Sequence, residues 1–157
     1  MIMLMDQNQL DALVATEVSL PQQADDVLAK VLELFECTTG TIHFWNTESE
    51  LLELAAQQGI PEFLLEKVAK IPMGKGIAGA AAKQRDAVQI CNLQTDDSGV
   101  AKPDAKHTKV AGSVAVPIQQ GDTLLGTLGI GKLEPYDFSE AEVAQLNRIA
   151  DWIAASL

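Results

Sequence analysis

The chain is poor in the residues on which most chemistry and most special architectures depend. Its 157 residues include two cysteines, two histidines, one tyrosine and 11 basic residues against 22 acidic ones. Two cysteines, Cys37 and Cys91, make no disulfide framework, and so thin a supply of Cys and His argues against a metal cage. The net charge of −11 works against a polyanionic partner, because nucleic-acid binding draws on clustered Lys and Arg to displace counterions. No apolar run reaches membrane-spanning length, and residues 1–5 are too short and lack the basic flank of a secretory leader. Neither nucleic acid nor membrane is therefore an expected partner, and the cytoplasm is the expected compartment. Aromatics account for only 4% of a chain that is 47% apolar, so Leu, Val, Ile and Ala have to fill the core. A chain of this length buries a real one, and a single globular domain over 1–157 is the expectation.

The apolar pattern then orders the elements. Leu10, Leu13, Val14 and Val18 recur at helical spacing, a narrow stripe that predicts a first amphipathic helix within residues 1–19. Ser19 ahead of Pro21 has the form of an N-cap and first turn, opening a second helix through Val27, Leu28, Val31, Leu32, Leu34 and Phe35. Residues 41–45 turn β-branched and aromatic, residues 46–50 are polar, and residues 51–57 are again apolar, which reads as a hairpin. Short helices are expected at 62–69 and 77–84, and a strand at 87–91. Residues 92–109 lack any period and form a long loop, the kind that in a compact domain usually carries function. A second hairpin spans 111–119 and 123–131 about Gly121, with Pro117 marking an irregular or unpaired position in its first strand. Ser139 and Glu142 have the spacing of a capping box, after which Val143, Leu146, Ala150, Ile153 and Leu157 form the seam of a final helix.

Few residues carry a chemical signal, and most are better explained by packing. Gly74-Lys75-Gly76-Ile77-Ala78-Gly79 satisfies G-x-G-x-x-G, but Pro72 interrupts the strand that a dinucleotide fingerprint needs, and a hairpin follows where a parallel strand should be. Small residues that let a short helix lie close to a sheet are the better reading. The amino end of that helix, with Lys75 beside it, suits a carboxylate or phosphate. His107 with Asp104 supplies too few ligands for a metal, and none is expected. His43 should lie on the strand face opposite Ile42 and Phe44, either exposed or toward a helix. Cys37 and Cys91 read first as small buried hydrophobes, with redox sensing at Cys91 the lesser alternative. Trp45 and Trp152 are both expected on the side of the sheet covered by the terminal helices. The narrow stripes of the first and last helices suggest a homodimer through Leu10, Leu13, Val14, Val143, Leu146, Ala150, Ile153 and Leu157.

Four segments in this order, Gly74-x-Gly76-Ile77-x-Gly79, Val116-Pro117-Ile118, Gly126-Thr127-Leu128 and Phe138-Ser139-x-x-Glu142, resemble the GAF domain family over about residues 21–157. The resemblance implies an α+β fold: a central antiparallel sheet of five or six strands, terminal helices on one face, and a cavity under short helices and a long loop on the other. Residues 20–157 would be the core and 1–19 a dimerisation extension. Its implied lining is Phe44, Lys75, Ile77, Cys91, Val110, Ser113, Ala115 and Thr127.

What the family does is not one thing, and fold does not fix function. The Asn-Lys-Phe-Asp-Glu set of cyclic-nucleotide binders is missing, and no cysteine stands beside His107 as in bilin binders. Free methionine-(R)-sulfoxide reductases of this fold carry cysteine where this chain has Ala78 and another in the long loop, which here has none. Attack on a sulfoxide and resolution of the product need neighbouring thiols. A non-enzymatic sensory or regulatory domain, without cofactor, binding a small and possibly anionic metabolite and signalling through a helical dimer interface is thus the first expectation. A cysteine-dependent redox sensor or reductase is the second. A ligand-free module docking a signalling protein is the third.

Overall fold

The computed structural model describes residues 23–92, 94–95 and 110–157. Six antiparallel strands form one sheet in the order β3-β2-β1-β6-β5-β4: β1 Thr39–Asn46, β2 Leu51–Gln58, β3 Lys70–Pro72, β4 Val88–Ile90, β5 Ser113–Gln120 and β6 Thr123–Gly131. Four helices accompany it among the described residues: α1 Ala24–Phe35, α2 Glu62–Val68, α3 Gly76–Gln84 and α4 Glu140–Ser156. The α+β architecture is as expected. The strand over 70–72 was not foreseen, because three residues give too short a pattern to read. The N-terminal helix, its stripe of Leu10, Leu13 and Val14, the cap at Ser19, and His107 lie outside the described residues, as does nearly all of the expected loop.

Helices α1 and α4 pack on one face. Val27, Leu28, Val31, Leu32 and Phe35 of α1 meet Ile42, Val114, Val116, Ile118, Leu128 and Ile130 of the sheet, together with Leu146, Ile149, Trp152 and Ile153 of α4. Full burial of each large member contributes roughly 1.5–3 kcal/mol. Leu146, Ala150 and Ile153, expected at a subunit seam, therefore fill the chain's own core, which accounts for their spacing without a second copy. Val143 packs at its margin, and Leu157 is exposed. The start of α4 is as the sequence predicts: the Ser139 hydroxyl accepts from Glu142 N–H at 3.1 Å, and Ser139 N–H donates to the Glu142 carboxylate at 2.9 Å.

A smaller cluster on the opposite face joins Leu52, Ile71, Ala82 and Leu124, with Trp45 and Ala78 against it. Trp45 thus lies away from the terminal helices, contrary to expectation, while Trp152 lies among them. Two bulges set which side chains reach which face. Register slips at Ile42/His43 leave Ala55 as an extra residue in β2, and at Ile118/Gln119 leave Leu125 extra in β6. Each slip inverts the alternation beyond it, so Leu52 and Ala56, or Leu124 and Leu128, share sequence parity but face opposite ways.

Pro117 lies past the end of β4, whose pairing stops at Val88 opposite Ala115. There β5 is an edge, where a missing N–H is tolerated. The glycine-rich segment is a turn closing β3 onto α3. Gly74 and Gly76 have positive φ of 85° and 66°, and Gly74 N–H donates to Gly79 O at 2.8 Å. A Cβ on Gly79 would come within 2.6 Å of Pro72 O, so the small residues serve close approach.

Candidate functional site

On the face opposite α1 and α4, the central strand β6 loses its side chains. Register places Thr41, Gly129 and Ala115 in one cross-strand row, and Thr39, Gly131 and Ser113 in the next. Each row has small residues at its sides and bare backbone at its centre, which makes a trough along β6. Ile60, Ile77, Ala78 and Val110 complete the lining of a cavity of about 130 Å³. A Cβ at Gly131 would meet Val110 Cγ1 at 2.7 Å, whereas one at Gly129 would find nothing nearer than Thr41 Oγ1 at 3.4 Å. The free space therefore lies over Gly129. Its volume is close to the ~150 Å³ that takes up a benzene ring and below the ~300 Å³ where drug-sized pockets begin.

The polar side-chain groups of the lining are the hydroxyls of Thr39, Thr41 and Ser113, and among the described residues no charged side chain lines it. Ser113 Oγ donates to Ile130 O at 3.3 Å, which leaves its oxygen able to accept. The adjoining row is His43, Thr127 and Pro117. His43 and Thr127 are each only 1% exposed. His43 Nε2 is 2.8 Å from Val68 O. A carbonyl only accepts, so Nε2 holds the proton and Nδ1 presents a lone pair. That nitrogen and Thr127 Oγ1 have no hydrogen-bond partner.

Burial lowers the His43 pKa below its ordinary value of 6.5, although the bond to Val68 opposes the shift. A histidine whose folded-state pKa is depressed supports the fold above its unfolded pKa and withdraws that support as pH falls. Chemical denaturation is therefore expected to show stability falling as pH drops below about 6.5, with a slope no steeper than the one-proton limit of about 1.4 kcal/mol per pH unit, and a His43→Gln variant to lose the histidine's share of that slope.

Of the residues expected to line the cavity, Ile77, Val110, Ser113 and Ala115 do so. Thr127 is on the same face in the next row. Phe44 is not: it packs against the helix-side core, because its strand alternates with Thr41 and His43 on the cavity side. Lys75 is exposed at the N-cap of α3, and Cys91 is exposed just past β4; neither is in the lining. Sequence reasoning missed Thr39, Thr41, Ile60, Ala78, Gly129 and Gly131. The pairing of Thr-x-Thr at 39–41 with Gly-x-Gly at 129–131 was the available signal.

The thiols stand apart from the cavity. Cys37 packs against the helix-side core, and burial pushes its pKa up to about 11. Desolvation and the Asp137 carboxylate raise that of Cys91. Since the thiolate is the nucleophile, reaction with a disulfide reagent at pH 7.5 is expected to be slow at both, with Cys91→Ser removing the faster phase. Among the described residues, no His, Cys, Asp and Glu cluster suits a metal, and no helix is long and apolar enough to cross a membrane.

A family model of the GAF domain matches residues 17–157. No protein of curated function matches the chain. Among solved structures, the fold is similar to the GAF domain of a phosphoenolpyruvate-protein phosphotransferase from Coxiella burnetii, at 21% identity over 95% of this chain and 88% of that one, with a TM-score of 0.81. The GAF domain of the corresponding Acinetobacter protein gives 19% identity over 97% and 94%, with a TM-score of 0.76. The free methionine-R-sulfoxide reductase of Neisseria meningitidis, solved with its substrate, gives 20% over 95% and 84%, with a TM-score of 0.80.

Proposed function

Because the chain belongs to the GAF domain family, we propose that it is a non-enzymatic sensory and regulatory domain whose cavity over β6 binds a small metabolite. The observation that carries this reading is the trough itself: glycine backbone as floor, three hydroxyls at its sides and apolar residues around it. Few polar groups on an apolar surface fix a ligand's orientation while the surface supplies its burial. The cavity also lies across one sheet from α1 and α4. A ligand that favours one position of α3 over another shifts the populations of the whole layer, and the helices carry the change to a second copy or a signalling partner. A homodimer would form through Leu157 and the N-terminal segment, since the rest of the α4 stripe is spent on the core.

Catalysis by cysteine has less support. Neither thiol lines the cavity, and both have raised pKa values. The protein is expected not to reduce free methionine sulfoxide, and Cys37→Ser and Cys91→Ser variants to bind ligand as the parent does.

The test is a thermal-shift and calorimetric screen of small metabolites against the parent and Gly129→Val. A Cβ at 129 makes only ordinary contacts, with Thr41 Oγ1 at 3.4 Å and with Ala115 Cβ and Val114 O at 3.8 Å, and the variant is expected to fold while the added methyls fill the site. A binder that stabilises the parent and not Gly129→Val is the expected result. Binders that act equally on both would remove the cavity from the account.

A further inference from the structure

The free space over Gly129 has two unlike walls. Thr41 and Ala115 flank that glycine in one cross-strand row, and both line the cavity. The atom nearest to a Cβ built on Gly129 is Thr41 Oγ1, at 3.4 Å, followed by Ala115 Cβ and Val114 O, both at 3.8 Å. Of the threonine's atoms the oxygen comes closest, so its hydroxyl and not its methyl is turned toward the space. The opposite wall answers with the alanine methyl, and Val114 O belongs to the backbone of β5. Ile77 and Ala78 of α3 close the space from the side away from the sheet.

The three hydroxyls of the lining are not equivalent. Thr39 and Ser113 flank Gly131, where Val110 Cγ1 already occupies the place of a side chain, and Ser113 Oγ is engaged with Ile130 O. The Thr41 hydroxyl makes no hydrogen bond with a described residue. Nor is it one of the fully buried unpartnered atoms, unlike His43 Nδ1 and Thr127 Oγ1 in the next row. It is the hydroxyl beside the free space, able both to donate and to accept. A molecule that fills the space strips water from it and must replace that water. A polar group at the other end would lie against Ala115, Ile77 and Ala78, desolvated and without a side-chain partner.

We propose that the cavity selects a compact amphiphile with a single polar end, seated at Thr41 Oγ1 with its hydrocarbon end against Ala115, Ile77 and Ala78. This rests on the reading of the cavity as a ligand site and makes Thr41 and Ala115 the residues that set the ligand's orientation. The volume holds about six heavy atoms, the size of a small ring.

Cyclopentanol, methylcyclopentane, which has a methyl in place of the hydroxyl, and cyclopentane-1,3-diol are titrated by amide-shift NMR into the parent and four variants. The parent is expected to bind cyclopentanol at least tenfold more tightly than the diol. Thr41→Val, which swaps a hydroxyl for a methyl of like size, should lower the ratio of cyclopentanol to methylcyclopentane affinity at least fivefold. Thr41→Ser should keep that ratio within twofold, which a packing role for the threonine methyl would not. Ala115→Ser gives the opposite wall a hydroxyl and should bring the diol to within threefold of the alcohol. Gly129→Val should bind none of the three.

A ratio unchanged in Thr41→Val, an equal loss in Thr41→Ser, or a diol that binds the parent as tightly as the alcohol would each overturn this inference while leaving the cavity a ligand site. Failure of all three probes to bind the parent would also overturn it, and the metabolite screen on Gly129→Val then decides the cavity reading separately. Equal binding to the parent and Gly129→Val would overturn both.

Discussion

Gly126→Ala is expected to unfold the domain under conditions where Gly129→Ala remains folded, although both positions lie in β6. A Cβ on Gly126 would fall on the carbonyl oxygen of His43 in the neighbouring strand. That oxygen belongs to backbone, which cannot swing aside as a side-chain tip can, so β1 and β6 must part where they form the centre of the sheet. The expected loss is about 4 kcal/mol or more, the range reserved for core disruption. At Gly129 the same methyl enters the cavity at ordinary contact distance, 3.4 Å from Thr41 Oγ1. The cost there should stay within about 1 kcal/mol. Urea unfolding followed by the fluorescence of Trp45 and Trp152 measures both. Equal stabilities would contradict the β1–β6 pairing on which the trough depends.

Lys132→Met is expected to cost about 2–3 kcal/mol, more than the loss of a surface charge can explain. Lys132 is a buried lysine just beyond β6. Its ammonium donates to Phe35 O at 3.1 Å and Glu36 O at 3.2 Å, and lies 4.6 Å from the centre of the Tyr136 ring. Phe35 and Glu36 end α1, where unpaired carbonyls gather negative partial charge. A cation placed there closes the helix and ties it to the strand that floors the cavity. Methionine keeps the apolar stem and removes every donor. The same urea experiment tests it, and a loss below about 0.5 kcal/mol would show that water serves those carbonyls equally well.

These two residues show where the sequence is legible and where it is not. The helices could be read because each has a single buried face: α1 repeats apolar residues through Phe35, and α4 announces its start with Ser139 and Glu142. Both hairpins could be read because polar turns bracket them, the second with Gly121 at a φ of 60°. The strand faces could not. Both faces of this sheet are covered, so Ile42, Phe44 and Trp45 all find apolar surroundings, and alternation does not say which side is the core. The extra residues Ala55 and Leu125 then invert the pattern within a strand, and no local signal marks them. Phe44 was assigned to the cavity and Thr41 overlooked because β1 is covered on both faces, not because of a bulge, since β1 itself alternates without a break. Lys132 carries no signal either, since a lysine after a strand reads as solvated until a helix end is seen to lie over it.

Part of the cavity follows from residues that the sequence makes easy to discount. Gly129 and Gly131 look like ordinary strand glycines, and Thr39 and Thr41 like ordinary strand threonines. Only their register across β1, β6 and β5 turns them into a floor and a side.

The most direct measurement is a crystal structure of the protein purified from cells without added ligand, examined at the trough over Gly129. The account predicts discrete density between the β6 backbone and Ile77, within hydrogen-bonding distance of Thr39, Thr41 or Ser113. Side chains of Ile77 and Val110 collapsed onto Gly129, leaving no space between α3 and the sheet, would contradict it.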